Sequence, residues 1–422
     1  MIIQLAGKMK PMILKLLPYE FVKKIKDKIV LQKEKKLKAK GRKPFAVEKY
    51  PRGVNLIGGI RTQTGLGQSC RLVADLLEGT DFDYTITDYC ADKQVGRNDH
   101  SHDAEVTDER KYGINLLHMN PYELRVAYLE MGNELLDERY NIGYWLYELE
   151  KLPNGWVEAI DLVDEIWTPS EYISRLFRTL TDKPVYTMPY SVSAPTLDKM
   201  NRQYFGLPDD KFLYLLMYDT NSTMTRKNPQ GAIAAYKKAF PVEKNDVGLV
   251  IKINHLKAEQ EEQLKKELQG YHNVYFVDRT LEKVEVNSLI KNVDVFISLH
   301  RAEGFGLVMA EAMLNGTACI ATNYSSNTEF MDEKCACMVG YELVDMVGDT
   351  GGYPKGSKWA EASVDEAAEY ALRLYEDKAF YQTIVTNGKK RMDEEMNYET
   401  ASLRVEKRLR EIYSDVVSGN WK

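Results

Sequence analysis

Two glutamates, Glu303 and Glu311, stand with seven residues between them in the run Ser298-Leu-His-Arg-Ala-Glu-Gly-Phe-Gly-Leu-Val-Met-Ala-Glu-Ala-Met313. After the first comes Gly304-Phe305-Gly306-Leu307. Glycine lets the main chain approach a ligand closely, and amides at a helix start point free N–H donors at an anion, helped by the helix dipole. Carboxylates accept from vicinal hydroxyls, which suits a sugar or a ribose. Glu311 falls more than one turn inside the helix, so the two carboxylates reach different parts of one extended ligand. Either glutamate alone reads as an ordinary acidic residue near a helix start. The whole strand–turn–helix unit reads as a binding site.

Such a unit needs a strand behind it and a helix ahead of it. From Lys49 onward, apolar runs of strand length alternate with helical patterns, as a parallel α/β sheet requires. Val54–Gly59, Tyr84–Asp88, Gly113–His118, Asn141–Leu149 and Ile166–Thr168 make one series. Phe212–Tyr218, Gly248–Ile253, Val274–Val277, Val293–Ser298, Ala318–Ala321 and Met338–Val339 make a second. Runs such as Val293-Asp-Val-Phe-Ile-Ser-Leu299 are nearly all apolar, the mark of strands covered on both faces. Helices are expected at Cys70–Leu77, after Ser170, at Pro229–Phe240 and throughout the chain beyond Ala362. The spacing predicts an α/β chain of four parts. These are a basic extension over 1–45, a doubly wound Rossmann-like domain over 46–193, a second over 194–395, and a C-terminal helix over 396–422 that packs back on the first domain. Two such domains face each other across a cleft at the carboxyl ends of their sheets, where open α/β folds bind ligands.

The paired-glutamate unit resembles the donor-binding signature of the family-four retaining glycosyltransferases, which share the two-Rossmann-domain architecture called GT-B. Their pattern Glu-x-Phe-Gly-x-x-x-x-Glu here reads Glu303-Gly-Phe-Gly-Leu-Val-Met-Ala-Glu311. Ala318-Cys-Ile-Ala-Thr-Asn-Tyr-Ser-Ser-Asn-Thr-Glu329 is similar to the strand and small-residue loop that follow. Tyr214-Leu-Leu-Met-Tyr-Asp219 with Arg226-Lys227-Asn228-Pro229 is similar to the first strand and phosphate-contacting loop of the donor domain. Gly53-Val-Asn-Leu-Ile-Gly-Gly-Ile60 with Thr64-Gly-Leu-Gly67 is similar to the first strand and glycine turn of the acceptor domain.

The resemblance implies roles. Glu311 holds the ribose of a nucleoside diphosphate sugar, and Glu303 holds hydroxyls of the transferred sugar beside its reacting carbon. Lys227 and Arg226 neutralise the departing diphosphate, where cations act strongly because the cleft is dry. The amides of Gly304, Phe305, Gly306 and Leu307 face the donor phosphates, as do Gly65 and Gly67 across the cleft. Many relatives carry an arginine five residues before the lysine, where this chain has Ser222, so Arg226 or Lys252 supplies the second cation. The loop around Asp278-Arg279-Thr280 borders the base. On the acceptor side, His118 closes a strand and joins Glu303 and Lys227 among the expected catalytic groups, unless it only caps its loop. Gly143-Tyr-Trp-Leu-Tyr-Glu148 replaces a family histidine, so Trp145 and Tyr147 are expected to stack on acceptor sugars and Glu148 to orient a hydroxyl. Trp156 reads as core and His300-Arg301 as support. The resemblance sets Glu303 against sugar hydroxyls rather than beneath the reacting carbon, so retention is expected by front-face displacement and not through a covalent intermediate. Asp81-Phe-Asp83 spells the Asp-x-Asp of metal-dependent transferases but precedes a strand away from this site. It reads as a loop, and no metal is expected.

Composition narrows the setting. The chain has 422 residues, 44% hydrophobic and 28% charged, a size suited to two domains. No apolar run approaches the roughly 20 residues that cross a bilayer, and the opening MIIQLAGKMKPMILKLL is too interrupted by lysine for a secretory signal. Five cysteines without finger spacing read as reduced structural thiols. Residues 1–43 carry fourteen Lys/Arg against three acids, whereas the remainder carries 43 against 60. That acidic body argues against a nucleic-acid partner. Apolar residues from Met12 to Leu31 recur between the leader's lysines, which suits a helix on an anionic membrane surface or an extension packed on its own domain. The expected protein is a cytoplasmic hexosyltransferase, at the inner face of the membrane if the leader lies there. It uses a nucleotide sugar and no further cofactor, and extends a glycan or lipid-linked saccharide in cell-surface polysaccharide synthesis. GDP-mannose, UDP-hexoses and dTDP-rhamnose all fit as donors. A noncatalytic nucleotide-sugar-binding subunit is the alternative. An NAD(P)-dependent Rossmann enzyme is another, weakened because Cys70 stands where the third glycine of that pattern belongs.

Overall fold

A computed structural model describes residues 32–220, 224–347 and 353–417. The leader positions from Met12 to Leu31 lie outside the described residues.

Two six-stranded sheets carry the fold. The first contains β1 (Val54–Gly58), β2 (Tyr84–Asp88), β3 (Ile114–His118), β4 (Tyr140–Tyr144), β5 (Glu165–Thr168) and β6 (Val185–Thr187), in the order β2-β1-β3-β4-β5-β6. The second contains β7 (Phe212–Asp219), β8 (Val247–Asn254), β9 (Val274–Val277), β10 (Val295–Ser298), β11 (Ala318–Thr322) and β12 (Cys337–Val339), in the order β12-β11-β10-β7-β8-β9. Their pairings are all parallel. This is the GT-B arrangement of two Rossmann-like units. Strand order reverses between β1 and β3 in one sheet and between β7 and β10 in the other, so loops splay apart at those two points.

Residue chemistry explains the register. The apolar runs of β1, β3, β4 and β5 are fully buried, as strands sandwiched by helices must be. Within them three asparagines form a buried ladder, Asn55 Nδ2 donating to Asn115 Oδ1 at 3.0 Å and Asn115 Nδ2 to Asn141 Oδ1 at 2.8 Å. A one-residue slip would strand these amides in apolar surroundings. The strand expected at Asn141–Leu149 stops at Tyr144, where Trp145 N–H donates to Trp167 O at 2.9 Å. The following residues become a loop at the carboxyl edge.

A hairpin has no counterpart among the expected elements. β13 (Tyr341–Asp345) and β14 (Lys358–Ala362) form an antiparallel hairpin outside both sheets. The Tyr398–Val417 helix lies against the Gly65–Glu78 helix of the first half. It is anchored by Arg408, which makes a bond of 2.6 Å to the fully buried Glu165. The chain thus passes between the halves twice, and the passages touch where Val192 N–H donates to Met396 O at 3.4 Å. Of the leader, residues 32–43 are docked. Buried Glu34 receives Arg125 Nη2 at 2.6 Å, and Lys33 Nζ donates to Leu129 O at 2.7 Å. No helix among the described residues is long and apolar enough to cross a membrane.

Candidate active site

The two loops that splay apart beside β7 and β10 bring the site together. After β7 the chain makes a short helix at Met224–Lys227, then Asn228 in the left-handed region (φ 49°) with Pro229 behind it. Asn228 tolerates that conformation and its side chain accepts from Gly231 N–H at 3.1 Å, so the chain turns sharply and presents Arg226 and Lys227. After β10, Arg301 N–H donates to Arg226 O at 2.7 Å, and the Arg301 guanidinium reaches Thr225 O and both oxygens of Glu361 at 2.7 and 2.9 Å. The hairpin thereby braces the cation loop.

Glu303 is 8% exposed, and its Oε1 takes the Lys227 ammonium and Arg226 Nη1, the latter at 3.2 Å. Burial pushes this carboxyl up, but Lys227 and Arg226 outweigh it and hold it at about 2. Arg226, rather than Lys252, is therefore the cation that stands with Lys227 beside Glu303. Lys252 is buried on β8, where its ammonium reaches Asn254. Burial lowers its pKa.

The Leu307–Leu314 helix begins at Gly306, whose φ of 101° suits glycine, and no side chain caps it. Among the described residues, no acceptor takes the amides of Gly304, Phe305, Gly306 or Leu307. The Glu303 amide is spent on Ser325 Oγ at 2.9 Å. Four orphan donors at an uncapped helix start, beside two cations, are the chemistry an anion requires. Farther along the helix, Glu311 is 2% exposed and its Oε1 meets Lys283. Its Oε2 is buried with no partner.

Across the cleft, Glu148 Oε1 accepts from Tyr353 OH and lies 3.6 Å from Arg226 Nε. The Tyr147 ring packs 5.0 Å from Trp156 and 6.4 Å from Tyr353, and a Cβ on Gly304 would stand 3.5 Å from Tyr147 O. Glu148 and Tyr147 thus join the donor-side group.

Three expected site residues do not. Trp145 is fully buried against Phe177 at 5.2 Å, so its face serves the core and offers nothing to a sugar. His118 is buried, stacked on Tyr144 at 5.1 Å, with Nε2 2.7 Å from Ser69 Oγ. Burial lowers its pKa to about 4, so it stays neutral behind the cleft wall. It connects to the site through Ser69 and Tyr190, whose ring meets Phe305 edge-on at 4.8 Å. Gly67 gives its amide to Thr64 Oγ at 3.1 Å, and a Cβ there would stand 2.1 Å from Thr62 O. It builds the turn and offers no phosphate donor. Gly65, beside it, is open, with nothing within 4 Å of an added Cβ. His300 is buried, with Nε2 3.1 Å from Asn327 Oδ1. Asp81, ahead of β2, pairs with Arg52 and Arg410.

Lys283, Tyr353 and Glu361 escaped the sequence reading. A lysine opening a helix and two residues of an unrecognised hairpin carry no spacing signal of their own.

Residues 208–391 match the sequence profile of the family described as Glycosyl transferases group 1. No curated protein matches the chain. Among solved structures, HepE of Anabaena, in complex with UDP and glucose, superposes with a TM-score of 0.63 at 12% identity, covering 85% of this chain and 100% of its own. Sucrose-phosphate synthase of Thermosynechococcus elongatus gives 0.61 at 14%, covering 86% and 100%. A glycosyltransferase from Rickettsia africae gives 0.60 at 12%, covering 87% and 99%. At these identities the likeness speaks for the shared fold.

Proposed function

We infer that this chain, with its group 1 glycosyl transferase domain on a GT-B frame, is a retaining hexosyltransferase. It moves a sugar from a nucleoside diphosphate donor to a glycan or lipid-linked saccharide in cell-surface polysaccharide synthesis. One observation carries the reading: a buried, ionised Glu303 joined to Lys227 and Arg226 beside the uncapped start of the Leu307–Leu314 helix. That cluster holds cations and orphan amides for a diphosphate, and a carboxylate for sugar hydroxyls. HepE, whose fold this chain shares, was solved with UDP-glucose.

In this mechanism Lys227 and Arg226 exchange Glu303 for the diphosphate as charge develops on it. Glu303 then accepts from the sugar's hydroxyls and stabilises positive charge near its reacting carbon. The departing phosphate oxygen takes the acceptor's proton while the new glycosidic bond forms on the face it leaves. Glu148 orients the acceptor hydroxyl. His118, neutral and held by Ser69, supports the wall and transfers no proton.

A thermal-shift panel of UDP, GDP, dTDP and their sugars tests donor binding, because a ligand bound by the native state raises its stability. Analysis of the product's anomeric configuration follows, and inversion would overturn the mechanism. Binding without transfer or donor hydrolysis would favour the noncatalytic subunit, while a response to NAD(P) alone would overturn the reading altogether. For the leader, we propose contact with an anionic membrane through residues 1–31, since residues 32–43 are occupied by their own domain. Deleting 1–31 should abolish liposome binding and spare donor affinity.

A further inference from the structure

Glu311 poses a physical problem. Its side chain is 2% exposed on the Leu307–Leu314 helix, and burying a carboxylate is costly unless it is paired and hydrogen-bonded. Lys283, the first residue of the Lys283–Lys291 helix, reaches across to Oε1. No other charged side chain acts on this carboxyl among the described residues. Oε2 has no protein partner there, although buried polar atoms are nearly always satisfied. Half of the carboxylate is therefore anchored and half is left without a partner.

We propose that Lys283 is a positioning residue of the donor site: by holding Oε1 it fixes Glu311 as an anion whose free Oε2 accepts from a ribose hydroxyl. This rests on the donor-binding reading above and adds a residue to it. The Lys283 side chain is 40% exposed, so it brings charge to the carboxylate while remaining partly hydrated. Burial alone raises the Glu311 pKa and Lys283 opposes that rise. Without Lys283 the carboxyl takes up a proton at higher pH, and Oε2 ceases to be a charged acceptor. Its hydroxyl partner is then held by a neutral group or not at all. The arrangement also favours donors built on ribose over those built on 2′-deoxyribose.

The test uses calorimetric titration of the full chain with UDP, GDP and ADP, each beside its 2′-deoxy counterpart. The proteins are wild type, Lys283→Met, Lys283→Arg and Glu311→Gln. For whichever base binds, wild type should favour the ribonucleotide about tenfold. The ratio of Lys283→Met affinity to wild-type affinity should fall about tenfold as pH is lowered across the range in which both proteins stay folded. Taking that ratio cancels the nucleotide's own titration. At the lower pH, Lys283→Met should match Glu311→Gln, and Lys283→Arg should restore the wild-type profile. A ratio that does not change with pH, or a wild type blind to the 2′-hydroxyl, overturns the role of Lys283 while leaving donor binding intact. If wild type binds none of the ribonucleotides, the donor site itself is refuted. Should Lys283→Met fail to fold, the double variant Lys283→Met/Glu311→Gln removes the buried charge as well. Its affinity, expressed against wild type, must then be flat with pH and equal to that of Glu311→Gln. Any other result overturns the proposal.

Discussion

Replacing Lys227 by methionine removes one of the two cations that Glu303 Oε1 touches. At the 3.2 Å of the neighbouring Arg226 contact and an effective dielectric constant of ~20, a unit pair attracts by about 5 kcal/mol, which sets the scale for the Lys227 pair. Burying the carboxylate offsets part of this. The net is visible in the Glu303 pKa, lowered from 4.5 to about 2, where each unit is worth about 1.4 kcal/mol and the whole about 3 kcal/mol. Because the folded value is the lower one, this stability is fully present above pH 4.5 and is lost as pH falls through about 2. Arg226 remains after the substitution, so Lys227→Met should cost about 2 kcal/mol at neutral pH rather than the about 3–5 of a fully orphaned buried charge. In a Glu303→Gln background it should cost almost nothing. Urea unfolding of wild type, both single variants and the double variant measures the coupling. The cost of Lys227→Met should also shrink toward the acid limb. Additivity within about 0.5 kcal/mol would refute the ion pair and with it the charge layout of the cleft.

Arg408→Met should lower stability by about 3 kcal/mol by leaving the fully buried Glu165 without a cation, held only by Tyr140 OH and Trp167 Nε1, and adding Glu165→Gln should recover most of the lost melting temperature. Gly306→Ala meets both a φ of 101° and Met309 Cε at 2.7 Å; a loss of about 1–3 kcal/mol in denaturant, with weaker nucleotide binding, is expected. Tyr353→Phe removes the hydroxyl from Glu148 and should cost about 1–3 kcal/mol. Hydrogen exchange should quicken at Met346, whose amide donates to Ser357 O at the hairpin's neck.

Much of this fold is legible from the sequence because strands buried on both faces read as apolar runs, and β2 and β9 fall on their expected residues. β6 escapes because three residues make no pattern, and β13 because its side chains are mostly exposed. Site residues divide by a different rule. Glu303, Lys227, Arg226 and Glu311 are legible because one short motif and one loop carry them. Trp145 misleads because an aromatic side chain serves a core and a sugar equally well, and only burial separates the two. Gly67 misleads because its amide is claimed three residues back by Thr64. Lys283 and Tyr353 act on partners 28 and 205 positions away, distances no spacing rule reaches.

The adjacency of Val192 and Met396 has a mechanical consequence. Both covalent tethers between the halves leave from one spot, and the rest of the seam is held by non-covalent contacts alone. Those include Ser170 Oγ to Ser326 Oγ at 2.8 Å and Tyr172 N–H to Glu329 at 2.8 Å. Any widening of the gap about that point would have to break these bonds, and the lip farthest from the tethers would travel most.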